Sequence, residues 1–344
     1  MKRTLFAPLA GLACAAIVAC GIVLGPDPST DRGALFDEFW TEFDRHYAMF
    51  ELKDIDWDGV RDVFRPQAIA ATSDAAFAAV LGRMIDTLDD VHVSLTVGQV
   101  ARFQSGDAAT ARRTYFAEAT VSSNYVVNWK FTPSRRMWYG SYNGVGYVRI
   151  AAFGGEHWGH EIDIVIRELH DLPGLIIDVR DNGGGNDGNG RDIAARFTTQ
   201  RRAYSYVKFR NGPGHSDFSP LFVGEIAPGG VHYDGRVVVL LNRQDFSAAE
   251  HFALMMRSIP GTILIGDTTG GASGNPLKRE LANGWVYQMS ESITYDLNHE
   301  TFEEVGIAPD MVVLQTLEDL NNSSDPVLFR AVELAVSPLL LPGH

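Results

Sequence analysis

Apolar positions first recur at helical spacing at Leu35, Phe36, Phe39, Trp40, Phe43 and Tyr47. This predicts an amphipathic helix with an aromatic stripe turned to a core. A second apolar face, Phe77, Val80, Leu81, Met84, Ile85 and Leu88, follows Thr72-Ser73-Asp74. That triplet suits a helix N-terminus, so residues 34–90 read as a small helical domain. From Val91 to Val97 the pattern changes to strand-like alternation, and residues 101–114 are polar and read as a loop. Beyond them strands and helices alternate: strand 145–150, helix 156–170, strand 175–179, helix near 190–199, strand 236–241, helix 247–258 and strand 262–266. Alternation of this kind predicts an α/β domain with a largely parallel sheet, here residues 91–335. Asn283-Gly284 between Leu281 and Trp285 is a hairpin signal, and no internal repeat is evident.

The N-terminus reads as an address. Lys2 and Arg3 precede an apolar segment, Leu5 to Ala19, too short for a comfortable membrane span. It ends Ile17-Val18-Ala19-Cys20, which resembles the bacterial lipobox. The expectation is a lipoprotein signal peptide over 1–19, lipidation of Cys20 and a tether over 20–33. Gly21 follows Cys20, with no aspartate there to signal inner-membrane retention, so the periplasmic face of the outer membrane is the expected destination. Cys14 and Cys20 are the only cysteines. The mature domain is therefore expected to lack a disulfide, a thiol nucleophile and a cysteine metal site. With 45% hydrophobic residues in 344 the chain can build a large core. Its net charge is −14, with no basic tract, which argues against nucleic acid binding.

The candidate chemistry lies in two loops. Asp245-Phe246-Ser247-Ala248-Ala249-Glu250-His251 follows the apolar run Val237–Leu241 and opens a helical pattern. Ser247 there fits a helix cap. It also fits a nucleophile, because the helix N-terminus favours developing negative charge. The second loop, Asp178-Val179-Arg180-Asp181-Asn182-Gly183-Gly184-Gly185, continues through Gly188 and Gly190. Gly183, Gly185 and Gly188 satisfy G-x-G-x-x-G, but the acidic residue a dinucleotide site needs about 20 positions on is absent. Backbone N–H groups aimed at an oxyanion are the better reading. His251, one turn after Ser247, is expected to point away from the cap. His92 sits where a helix ends and a strand begins.

Taken together, these stretches resemble the S41 serine peptidases, which include the C-terminal processing peptidases, the tricorn core and the interphotoreceptor retinoid-binding modules. Leu88-Asp89-Asp90-Val91-His92 looks like L-x-D-x-H, and Gly146-Tyr147-Val148-Arg149-Ile150 like G-Y-I-x-I. Residues 178–185 look like D-L-R-x-N-x-G-G, and Ser247-Ala248-Ala249-Glu250 matches S-A-A-E. Gly266–Gly271 and Glu303–Asp310 look like G-E-x-T-x-G and E-x-x-G-I-x-P-D. The matches run in family order over residues 34–315. Ala272 stands where processing peptidases carry a lysine base, and Lys278 is out of register. The tricorn-like branch uses histidine, which His92 matches, although Val91 stands where tricorn has a serine. The 50 residues from 95 to 144 are too few for a PDZ domain.

The resemblance implies a crotonase/ClpP-like ββα core with a small N-terminal helical domain, hydrolysing peptide or protein substrates without a cofactor or metal. Ser247 would be the nucleophile and His92 its base. Glu303, with Glu304 as the reserve, would support the polar network. The amides of Gly184 and Ala248 would form the oxyanion hole. Two other readings use the same fold: a lipoprotein that binds hydrophobic ligands or peptides without catalysis, and an interaction scaffold that does not need Ser247.

Overall fold

A computed structural model describes residues 29–106, 114–156 and 158–337; the expected signal peptide, Cys20 and the tether up to residue 28 lie outside them. In chain order the helices are α1 (Arg32–His46), α2 (Trp57–Ala70), α3 (Asp74–Asp86), α4 (Trp158–Leu169), α5 (Asp187–Ala194), α6 (Ala248–Arg257), α7 (Leu317–Asn321) and α8 (Pro326–Val336). A short helical turn spans 118–125. The strands are β1 (Ser94–Val97), β2 (Ala101–Gln104), β3 (Val127–Phe131), β4 (Met137–Tyr142), β5 (Val145–Ile150), β6 (Gly174–Asp178) and β7 (Arg202–Phe209). They continue with β8 (Phe222–Ile226), β9 (Arg236–Leu241), β10 (Ile263–Gly266), β11 (Pro276–Glu280), β12 (Val286–Ser290), β13 (Ser292–Tyr295) and β14 (Met311–Val312). Among the described residues no helix is long and apolar enough to cross a membrane.

The chain divides into two units. Among the described residues the first takes 29–106 together with Pro213–His215 and Pro276–Met289. Its helices are those the apolar spacing predicts, plus α2. Asp31 caps α1 by accepting the N–H groups of Gly33 and Ala34, and Ser73 caps α3 by accepting that of Ala76. The α1 stripe packs as expected: Phe39 lies 4.9 Å from Phe43, and Trp57 lies 5.7 Å from Phe43. Tyr287 of β12 completes the cluster 5.0 Å from Phe39. The unit is therefore not helical alone. A four-stranded sheet in the order β11-β12-β1-β2 belongs to it, β1 running antiparallel to both β12 and β2. The expected loop at 101–114 thus opens with a strand, and the expected boundary near residue 90 falls inside this unit.

The second unit is an α/β domain. Its seven strands run in the order β14-β10-β9-β6-β5-β4-β3, parallel from β14 to β5 and antiparallel across β4 and β3. Leu175, Ile176 and Ile177 of β6 and Val237–Leu241 of β9 are all buried. Burial on both faces is why these strands are continuously apolar. One face packs on α4, α5 and α6 through residues such as Ile162, Val165, Ile193, Phe252 and Met255. The other packs on α8 through Leu328, Ala331 and Ala335. α8 starts where Asp325 accepts the Leu328 N–H and Pro326 takes a first-turn position. The mixed α/β architecture with N-terminal helices agrees with the expected fold class. The carboxyl ends of β6, β9 and β10 share one edge, where open α/β sheets place their ligands.

Candidate active site

The loop after β9 turns sharply before α6. Ser247 adopts φ 56° and ψ −118°, a conformation that strains a residue bearing a Cβ by about 1–3 kcal/mol. Two features hold it there. The Phe246 N–H donates to the Asn182 carbonyl at 3.0 Å. The Ser247 N–H donates to the Glu250 carboxylate at 3.0 Å, the side chain reaching back as in a capping box. In the first turn of α6, the N–H groups of Ala249, Glu250 and His251 go to the carbonyls of Phe246 and Ser247. The Ala248 N–H remains as the amide of the helix tip, where the helix dipole is positive. Ser247→Gly is expected to raise stability by about 1 kcal/mol while removing the hydroxyl. A destabilised glycine variant in a denaturation titration would contradict the strain.

Glu250 is fully buried and accepts four hydrogen bonds. Besides Ser247 these come from Thr269 Oγ1 at 2.6 Å, Gly271 N–H at 2.7 Å and Ala272 N–H at 2.8 Å. Burial lifts its pKa above the ordinary carboxylate value, and these donors oppose that rise. Ala272, where a lysine base would stand, is thus buried backbone support, and Lys278 is exposed on β11 of the first unit. Next along this loop, Ser273 donates its N–H at 2.6 Å and its hydroxyl at 3.0 Å to Glu303. Glu303 is buried and Glu304 exposed. A connected chain therefore runs from Ser247 through Glu250, Ala272 and Ser273 to Glu303.

The glycine loop meets the same elbow from the β6 side. Arg180 is buried between Asp178, at 2.6 Å, and Asp325, at 2.9 Å, which fixes the start of the loop. Asn182 is its hub. The Asn182 side-chain amide donates to the Ile150 carbonyl at 3.0 Å, and its N–H donates to Asp245 Oδ1 at 3.1 Å. Its side-chain oxygen accepts the Gly184 N–H at 2.8 Å. That last bond is a finding for the expected oxyanion donor: the Gly184 amide is already engaged. Gly184 itself has φ +92°, and a Cβ there would stand 2.7 Å from the Phe246 carbonyl and 2.9 Å from Ser247 Cβ. Gly184, Ser247 and Ala248 are thus brought together. Asp245 beneath them also accepts the Asn242 N–H at 2.9 Å, and burial pushes its pKa well above the usual carboxylate range.

His92 belongs to the first unit. It is buried in the turn between α3 and β1, and its N–H donates to Asp90 Oδ1 at 2.8 Å.

A pairing that sequence reasoning missed stands beside the serine's helix. His251 Nδ1 lies 2.5 Å from Asp187 Oδ2, at the start of α5, and its ring meets Phe302 edge-on at 5.9 Å. Its partner is 64 residues away, so no local signal could have revealed it. Burial works against the imidazolium, but the charge and hydrogen bond of Asp187 and the charge of Glu250 outweigh burial and the opposing Arg191. The pKa therefore lies above the ordinary 6.5. The pair contributes its stability in full below that ordinary value and loses it as pH rises through the raised one. Asp187→Asn is expected to flatten this decline in denaturant titrations run above pH 6.5. An unchanged slope would contradict the pairing. Among the described residues no group of three or more His, Cys, Asp or Glu side chains could hold a metal ion.

Comparison with known proteins agrees with this architecture. Residues 144–313 match the model of peptidase family S41, and residues 28–86 match the Tricorn protease C1 domain. The chain is 30% identical over 131 residues to the carboxy-terminal processing protease CtpB of Bacillus subtilis, covering 38% of this chain and 25% of that one. It is 27% identical over 168 residues to the Tricorn protease of Thermoplasma volcanium, covering 48% and 15%. The chain thus spans a quarter or less of the length of these two relatives. A crystal structure of a proposed peptidase from Parabacteroides merdae superposes with a TM-score of 0.79 at 29% identity, covering 88% of this chain and 96% of that one. Residues 144–313 belong to peptidase family S41.

Proposed function

We propose that this chain is a serine peptidase that hydrolyses peptide bonds by acyl transfer from Ser247. The observation that carries the reading is the elbow itself. A non-glycine residue is held in a strained conformation at a helix N-terminus, against a glycine that leaves no room for a side chain. Strain of this kind persists where the surroundings over-determine it, and it marks functional positions. In this mechanism Ser247 Oγ attacks the substrate carbonyl. His92 accepts its proton and returns it to the leaving amine. The Ala248 N–H, at the positive end of α6, stabilises the tetrahedral oxyanion. The Gly184 N–H joins it as a shared donor, since Asn182 Oδ1 already takes one bond from it. Glu303 supports the site through Ser273.

The substrate is a peptide or protein. The setting is the bacterial cell envelope, with Cys20 as the lipid anchor on the periplasmic face of the outer membrane. Support for the setting is the N-terminal segment alone, Lys2-Arg3 followed by an apolar run ending at Cys20.

Hydrolysis of a quenched fluorescent peptide library tests the assignment. Ser247→Ala and His92→Ala are each expected to fold as the parent does and to lose turnover on the order of 10⁴-fold. Full activity in either variant would remove that residue from the mechanism.

A further inference from the structure

A cavity with both polar and apolar lining lies in the second unit, at the end of the sheet away from Ser247. β9 runs from Arg236 toward the elbow, and α6 runs from Ser247 to Arg257; the cavity is lined by Arg236 at the start of the one and by Ile259 just past the end of the other. The ten residues of α6 put about 15 Å of helix between its two ends, so this is a separate place. Its volume is about 260 Å³, slightly below the range of drug-sized ligand pockets.

Three polar atoms among its lining residues are buried and have no hydrogen-bond partner among the described residues: Tyr233 Oη, Thr262 Oγ1 and Arg236 Nε. Tyr233 is 4% exposed, so its hydroxyl is a buried donor without an acceptor. Such groups are rare because each carries a desolvation penalty. The hydroxyl lies close over Gly235, where an added Cβ would stand 2.5 Å from it. Burial, with the charge of Asp234, pushes its pKa up to about 12, so it stays protonated at neutral pH. Arg202 adds a second cation to the lining, spending only its Nε on Thr198 Oγ1 among the described residues. Asp234 is the opposing charge, and it is exposed. His232 also lines the cavity, its Nδ1 2.9 Å from the Arg196 carbonyl. Phe197 and Ile259 supply a buried apolar wall.

We propose that this cavity binds a small carboxylate with an apolar body. The carboxylate pairs with the guanidinium groups of Arg236 and Arg202, and the covered hydroxyls of Tyr233 and Thr262 turn to it on binding. The body lies against Phe197 and Ile259. Two cations facing one exposed acid favour an anion. The apolar wall and the planar fork of Arg236 favour a carboxylate over a compact, fully hydrated ion.

4-Fluorobenzoate titrated into the full chain and followed by ¹⁹F NMR tests this. Saturable one-site binding is expected, unchanged in Ser247→Ala, so a failed peptidase assignment would leave this result intact. Arg236→Gln is expected to weaken binding about tenfold. Tyr233→Phe should weaken it severalfold, and neutral 4-fluorobenzamide should bind about tenfold less well than the acid. The variants' thermal unfolding guards against misfolding, and the amide comparison needs no variant. Absence of saturation, equal binding of acid and amide, or full competition by equimolar inorganic phosphate would each overturn the proposal. So would wild-type affinity in a folded Arg236→Gln protein.

Discussion

Glu250→Gln is expected to lose about 3 kcal/mol of stability and on the order of 100-fold in turnover, although it changes one atom type. The carboxylate accepts four donors, two on each oxygen: Thr269 Oγ1 and Gly271 N–H on one, Ala272 and Ser247 N–H on the other. A glutamine offers one oxygen and an NH₂ group. Whichever way it turns, two donors face a donor in a site closed to water, and each unmet buried donor costs about 1–3 kcal/mol. The Ser247 amide and the loop that reaches Glu303 move together, and displacement of reacting groups by about 1 Å is enough for a 100-fold loss. Chemical denaturation and kcat on the same preparation check both numbers. A variant with parental stability and turnover would mean that Glu250 is not the acceptor that holds the elbow.

Gly184→Ala carries the second large effect. The new methyl would stand 2.7 Å from the Phe246 carbonyl, 2.9 Å from Ser247 Cβ and 3.1 Å from the Ala248 N–H. None of these is the far end of a flexible side chain. The φ of +92° adds backbone strain for any residue with a Cβ. The loop must retreat from the elbow, taking the amide geometry with it. Turnover is expected to fall on the order of 100-fold or more, because an oxyanion donor misplaced behaves like one deleted. Gly183→Ala is the control, since a Cβ there meets nothing within 4 Å. Equal turnover in the two variants would contradict the close approach of glycine loop and serine.

Much of this was legible in the sequence where the signal is local. The run Val237–Leu241 followed by Asp-Phe-Ser places a strand end and a helix start within ten residues, and both occur. Ser247 stands at the start of the helix that this pattern predicts. The glycine string suggests a close backbone approach to a substrate; in the structure the close approach at Gly184 is to Phe246 and Ser247. What stayed hidden depends on partners far along the chain. β11 is Pro-Leu-Lys-Arg-Glu, largely exposed and without alternation. It is a strand because it lies beside β12, itself paired with β1 nearly 200 residues earlier. β2 is likewise an exposed edge, so its polar sequence read as loop. α2 buries only Trp57 and Ala68 and carries Pro66 inside it, leaving little apolar periodicity to detect. The helix expected near 190–199 begins earlier, at Asp187, because Asn186 caps it through the Gly188 N–H. The engagement of the Gly184 amide by Asn182 could not be foreseen, since it depends on how the turn closes.

Peptide hydrolysis by this chain requires an activated nucleophile at Ser247. Intact-mass analysis after exposure to a fluorophosphonate probe measures that directly. One covalent adduct on the wild-type protein and none on Ser247→Ala is the predicted result. A folded Ser247→Ala protein that is labelled to the same extent as wild type would contradict it, and would place the reactive group elsewhere in the chain.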